Sequence, residues 1–83
     1  MSPPESLLSK LSLVLSEIAG VNVTLLSEQS SPSNLPEWDS MTNIHFIGAI
    51  EEEFGVTIST ADALNLHSLG DVARFVEAKQ PRA

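Results

Sequence analysis

Leu7, Leu8, Leu11, Val14, Leu15 and Ile18 recur at spacings of three and four, which puts them on one face of a helix that must find a core. Two further segments carry the same period. Phe46, Ile47, Ile50 and Phe54 form one stripe, and Leu69, Val72, Ala73 and Val76, with Phe75 at the border, form the other. No strand pattern appears beyond the short connector Val56 to Ile58. The chain has 83 residues, and a second hydrophobic core would need a longer one. The expectation is one all-α domain spanning residues 1–83. A fold of this size buries only about 60% of the surface its unfolded chain exposes, which leaves few residues to enclose an active site.

The helix ends are written in the sequence as well. Pro3 and Pro4 suit a helix start and Gly20 the left-handed position that closes one, which predicts a first helix over about 5–19. Residues 20–38 lose periodicity and carry Ser27, Ser30, Ser31, Pro32, Ser33, Asn34 and Pro36. This loop exceeds the roughly 12 to 15 residues usual in compact domains, and such loops are often functional. Val23, Leu25, Leu26 and Leu35 are expected to pin it to the core, a flexible linker being the alternative. A second helix is predicted over about 39–54, capped by the Asp39 carboxylate or by Ser40 and ended by Gly55. Ser59 caps a short helix over about 60–65. Ser68-Leu69-Gly70-Asp71 fits a capping box that opens the last helix, about 68–79, before Pro81. The sum is a small four-helix bundle, three longer helices and one short, with a long loop between the first two.

Eleven acidic residues against four basic ones give a formal charge of −7, and no cation stands between Lys10 and Arg74. Nucleic acids and anionic membranes both require Lys or Arg to displace counterions, so neither is an expected partner. A charged partner should be basic. No stretch approaches the roughly 20 apolar residues of a membrane span. Zero cysteines exclude a disulfide scaffold and thiolate-bound zinc, and leave the polypeptide without a thiol of its own. Pro3, Pro4 and Glu5 stand where a secretory leader would be basic, which predicts a cytoplasmic protein.

The chemistry-bearing residues are few. His45 and His67 lack ligand spacing, so no metal site is expected. No phosphate loop or nucleophile elbow is present. Ser40 has no base within reach, since His45, five positions on, lies on another face of the same helix; no catalytic residue is assigned. Glu51, Glu52 and Glu53 occupy the last turn of the second helix, where the negative end of the dipole disfavours anions by about 0.3 to 1 kcal/mol each. A solvated face is the bland reading; a docking face for basic partners would explain the conflict. Ser40 stands in the first turn of a helix entered from a long loop. Asp39-Ser40 there is capping chemistry, and the same unpaired amides and positive dipole would stabilise a phosphate carried on Ser40.

In register, Asp39-Ser40-Met41, Phe46-Ile47-Gly48-Ala49-Ile50-Glu51-Glu52-Glu53-Phe54-Gly55, Val56-Thr57-Ile58-Ser59 and Ser68-Leu69-Gly70-Asp71-Val72 resemble the acyl carrier protein family over most of the chain. The resemblance implies a four-helix bundle that is not an enzyme. Its Ser40 would carry 4′-phosphopantetheine, transferred from coenzyme A by a separate phosphopantetheinyl transferase, and acyl groups would ride on the arm as thioesters. Asp39 matches the family's aspartate beside the modified serine, which caps the helix and helps the transferase place Mg²⁺. Met41, Ile44, Glu51 and Glu52 fall on the surface that acyl-loading and acyl-transfer enzymes grip through basic patches. Met41 and Ile44 completing the core is the alternative.

Three positions depart from the family pattern. Glu37-Trp38 replaces a glycine or small residue, Met41 replaces leucine, and Gly48 stands where a bulkier residue is common. Trp38 either packs on the bundle as a staple or contacts the arm and its cargo, and Gly48 would permit close approach by the arm or a partner. Together they resemble a specialised stand-alone carrier, monomeric, serving fatty acid, polyketide, modified-sugar or other secondary metabolism. The rival class is a non-covalent acidic helical adaptor for a basic protein.

Overall fold

The computed structural model describes residues 5–80. Pro3, Pro4 and Pro81, read above as helix punctuation, lie outside them. Four α-helices follow in order: α1 (Glu5–Ala19), α2 (Ser40–Phe54), α3 (Thr60–Leu64) and α4 (Leu69–Lys79). There is no strand among the described residues. α1 packs against both α2 and α4. The three expected stripes meet in one core: Leu7, Leu11 and Leu15 from α1, Phe46 and Ile50 from α2, and Leu69, Val72, Ala73 and Val76 from α4. Leu8, Val14, Ile18, Ile47, Phe54 and Phe75 border it, half-buried. Each fully buried Leu, Ile or Phe adds roughly 1.5 to 3 kcal/mol, so α1 is held chiefly by what it covers.

The termini obey local rules. Gly20 and Gly55 take the left-handed conformation after α1 and α2, with φ of 73° and 66°. α3 has a reciprocal capping box: Ser59 Oγ accepts from the Asp62 amide at 3.0 Å, and the Ser59 amide donates to Asp62 at 3.4 Å. The box expected at α4 is only half formed. Ser68 Oγ accepts from the Asp71 amide at 3.1 Å, but the Asp71 carboxylate turns to the amide of His67 at 3.0 Å and to Arg74 at 2.8 Å. Asp62 shows that an aspartate can close such a box; at α4 the His67 amide and the Arg74 guanidinium compete for the carboxylate and take it. Burial raises the Asp71 pKa, but Arg74 and the His67 amide outweigh it and hold the carboxyl below its ordinary value.

The long loop is not a flexible linker. It contains a 3₁₀ turn, Val23–Leu25, capped by Asn22, whose side chain accepts from the Thr24 amide. Leu26 and Leu35 pack against the core as expected, whereas Leu25 is 70% exposed and pins nothing. The loop is instead tied through its backbone to α4. The amides of Leu69 and Gly70, orphan donors at a helix start, donate to the carbonyls of Ser30 and Glu28 at 2.8 and 2.9 Å. Buried Ser30 also accepts from the Ser27 amide through its Oγ.

That seam needs glycine at position 70. A Cβ there would stand 3.0 Å from both the Glu28 Cβ and the Glu28 carbonyl oxygen. Gly48, also helical, has nothing within 4 Å of a built Cβ. The two glycines should therefore respond oppositely. Gly70→Val should destabilise by about 1 to 3 kcal/mol through overpacking, and Gly48→Ala should stabilise by up to about 1 kcal/mol by removing the glycine penalty in a helix interior. Urea denaturation followed by circular dichroism measures both. A tolerated Gly70→Val would mean that the loop does not rest on α4.

Candidate functional site

The turn from the loop into α2 is set by two neighbouring side chains. Trp38 is 2% exposed and meets Phe46 edge-to-face, with ring centroids 5.6 Å apart. Its indole Nε1 donates to Asn43 Oδ1 at 2.9 Å. The ring is buried against α2, as a staple would be, and its remaining edge lines the depression beside Ser40. This accounts for one departure from the family pattern by packing alone. The next residue, Asp39, has extended backbone, and its Oδ1 accepts from the Thr42 amide at 2.9 Å. That hydrogen bond lowers the Asp39 pKa below the ordinary aspartate value. Of the two acceptors considered for the cap, Asp39 is the one used.

Ser40 is the first residue of α2 and is exposed. Its hydroxyl makes no hydrogen bond among the described residues. With Pro32, Pro36, Trp38, Asp39 and Asn43 it lines an open depression of about 370 Å³. A hydroxyl that is accessible, unengaged and at the positive end of a helix of 15 residues meets the requirements of a phosphodiester tether: an enzyme reaches it, no internal bond is lost, and the helix start stabilises the anion. A larger groove, about 690 Å³, lies far from it at the other end of α2, where Glu53 and Phe54 meet Leu13 and Val14 of α1 and Glu77 of α4.

The remaining candidates divide. Met41 and Ile44 are 63% and 65% exposed, so neither completes the core. Glu52 and Glu53 are exposed, while Glu51 is half-buried and its Oε2 accepts from the amide of Ile58 at 2.9 Å. Ile58 is a core residue. The conflict with the helix dipole at position 51 therefore has a structural explanation, since the carboxylate fastens the connector after α2. The fully exposed carboxylates of this turn are those of Glu52 and Glu53. Gly48 is exposed, and nothing in the structure explains glycine there.

Three contacts that matter here escaped the sequence. The indole bond of Asn43, the Ile58 tie of Glu51 and the crowding at Gly70 are all contacts between segments, with no periodic signature. Gly70 alone left a trace, as a glycine in the first turn of a helix, where its propensity is poor.

A helical bundle that offers an exposed, unengaged serine at a helix start, beside a capping aspartate, has the layout of a covalent carrier domain. Residues 9–76 match the family described as phosphopantetheine attachment site, and the chain belongs to that family. It is similar to the acyl carrier protein of Thermotoga maritima, 28% identical over 79 residues that cover 95% of this chain and 98% of the relative. It is likewise similar to the acyl carrier protein of Acidothermus cellulolyticus, 28% identical over 72 residues, 87% of this chain and 86% of the relative. The cofactor of the family is 4′-phosphopantetheine. No helix among the described residues is long and apolar enough to cross a membrane.

Proposed function

We propose that this chain is a monomeric, cytoplasmic carrier that holds acyl intermediates on a 4′-phosphopantetheine arm attached to Ser40 and presents them to partner enzymes. The carrying observation is the exposed, hydrogen-bond-free hydroxyl of Ser40 at the start of α2. When bound, the arm supplies the thiol that the cysteine-free polypeptide lacks, and that thiol forms the thioester with the acyl group. The protein's residues place and steer. Asp39 holds the helix start open to the transferase through its bond to the Thr42 amide, and its second carboxylate oxygen is the natural partner for the transferase's Mg²⁺. The chain itself catalyses nothing.

Docking falls to Met41, Ile44 and Glu52. Two large apolar side chains three residues apart on α2 share a face, and an exposed carboxylate two turns further on adds charge. Such a surface steers encounters with a basic patch while keeping residence short, which suits a carrier that must leave each enzyme. Glu52→Lys should lower transferase kcat/KM several-fold at low salt, with the loss shrinking as salt screens the pair and the helical circular dichroism unchanged. Glu51 is unsuitable for this test because its reversal would also free the Ile58 amide. An unaltered kcat/KM in Glu52→Lys would remove the acidic steering role.

The attachment is tested by incubating the apo chain with coenzyme A, Mg²⁺ and a broad-specificity transferase and reading the intact mass. One arm per chain is expected. A chain that stays unmodified yet forms a stable complex with a basic protein would be a non-covalent adaptor.

A further inference from the structure

Resting on the reading that Ser40 carries the arm, we infer that the depression formed by Pro32, Pro36 and Asn43 is a seat for the proximal part of that arm, with the Asn43 Nδ2 group as its hydrogen-bond donor. Four observations converge on it. Ser40 itself lines the depression, so a group tethered to its Oγ begins at the rim. Asn43 lies three residues after Ser40 and therefore on the same side of α2. The Trp38 indole nitrogen only donates, and it takes Asn43 Oδ1 at 2.9 Å, which fixes how the amide is turned. The capacity Asn43 retains is the Nδ2 donor, which has no hydrogen bond among the described residues.

The chemistry of the arm matches these walls. One methylene beyond the phosphodiester the pantetheine chain carries a carbon with two methyl groups, then a hydroxyl-bearing carbon and an amide carbonyl. The methyl groups suit the rings of Pro32 and Pro36, and the oxygens are acceptors for Nδ2. Trp38 acts here as a positioning residue, holding the Asn43 amide in one orientation through a buried ring. An otherwise exposed loop is thereby given a binding role: residues 32–36 supply one wall, and their backbone is fixed by bonds such as Leu35 N to Ser31 O at 2.9 Å. This seat lies on the loop side of Ser40, whereas Met41 and Ile44, which face partners, remain uncovered.

The test uses ¹⁵N,¹³C-labelled wild-type chain before and after enzymatic loading, with loading confirmed by intact mass. In the loaded chain, nuclear Overhauser contacts are expected from the arm's paired methyls to Pro32 and Pro36 protons, and the Asn43 Nδ2 and Trp38 Nε1 protons should shift. Asn43→Asp keeps an acceptor for the indole but removes the donor; the fraction of it that loads, isolated by intact mass, should lack the methyl contacts. A loaded wild type with changes confined to the Ser40 turn, and no contact to either proline, would overturn the seat while leaving Ser40 as the attachment point. Absence of any mass gain would overturn both.

Discussion

Trp38→Ala should lower the unfolding free energy by about 3 to 5 kcal/mol, the cost typical of deleting a buried tryptophan side chain. At roughly 0.05 to 0.15 kcal/mol per residue, a chain of 83 residues has about 4 to 12 kcal/mol in all, so the variant should lose a large share of its stability and melt well below the wild type. Three terms combine: the apolar area of a ring that is 2% exposed, the edge-to-face contact with Phe46, and the indole bond to Asn43. Trp38→Phe separates them. It keeps a ring against Phe46 but loses the hydrogen bond, and it should recover most of the stability. Because the chain holds one tryptophan, far-ultraviolet circular dichroism in urea is the suitable probe for all three proteins. A loss below about 1 kcal/mol in Trp38→Ala would show that the ring is peripheral, and the account of how the Ser40 turn is held would fail with it.

The second large effect is expected at Asp39, whose observed capping role and proposed metal role separate by substitution. Asparagine caps a helix about as well as aspartate, so Asp39→Asn should keep the bond to the Thr42 amide, the helicity and the melting temperature. It lacks the negative charge that a metal ion requires. Modification by the transferase should therefore fall by roughly tenfold or more, the scale typical when a group supporting a metal site is removed. Asp39→Ala should lose both the rate and part of the helical signal. A fully active Asp39→Asn would assign the residue to capping alone. Loading Ser40 should act back on Asp39: a neighbouring phosphodiester anion disfavours the charged carboxylate, so its pKa, now held below the ordinary value by the Thr42 bond, should rise.

How much of this was legible in the sequence follows from the range of each interaction. The stripes through Leu11, Phe46 and Ile50, and Leu69 and Val76 announce themselves because helical burial repeats every three or four residues, and their caps are local. The Asp39-Ser40 start of α2 was legible for the same reason, with the surrounding register pointing to the family. The loop was not. Its hold on α4 runs from the carbonyls of Glu28 and Ser30 to amides about forty residues away, and backbone acceptors leave no mark in side-chain pattern. Leu25 was expected to be an anchor because it is apolar, yet it sits in the 3₁₀ turn and faces out. The bond of Glu51 to the Ile58 amide was not legible because that amide belongs to the next segment.

The departures from the family pattern now carry different weight. Trp38 is explained by packing, Gly48 stands in open space, and Met41 is an exposed residue on the α2 face. None of the three identifies a cargo.

The most direct measurement is site localisation of the modification. Wild-type and Ser40→Ala chains are incubated with coenzyme A and transferase, and the products are fragmented in the mass spectrometer. The expected result is a single phosphopantetheine group on the peptide containing Ser40 in the wild type and no addition to Ser40→Ala, whose helices remain intact. An arm found on another residue, or gained equally by Ser40→Ala, would contradict the assignment on which the carrier function rests.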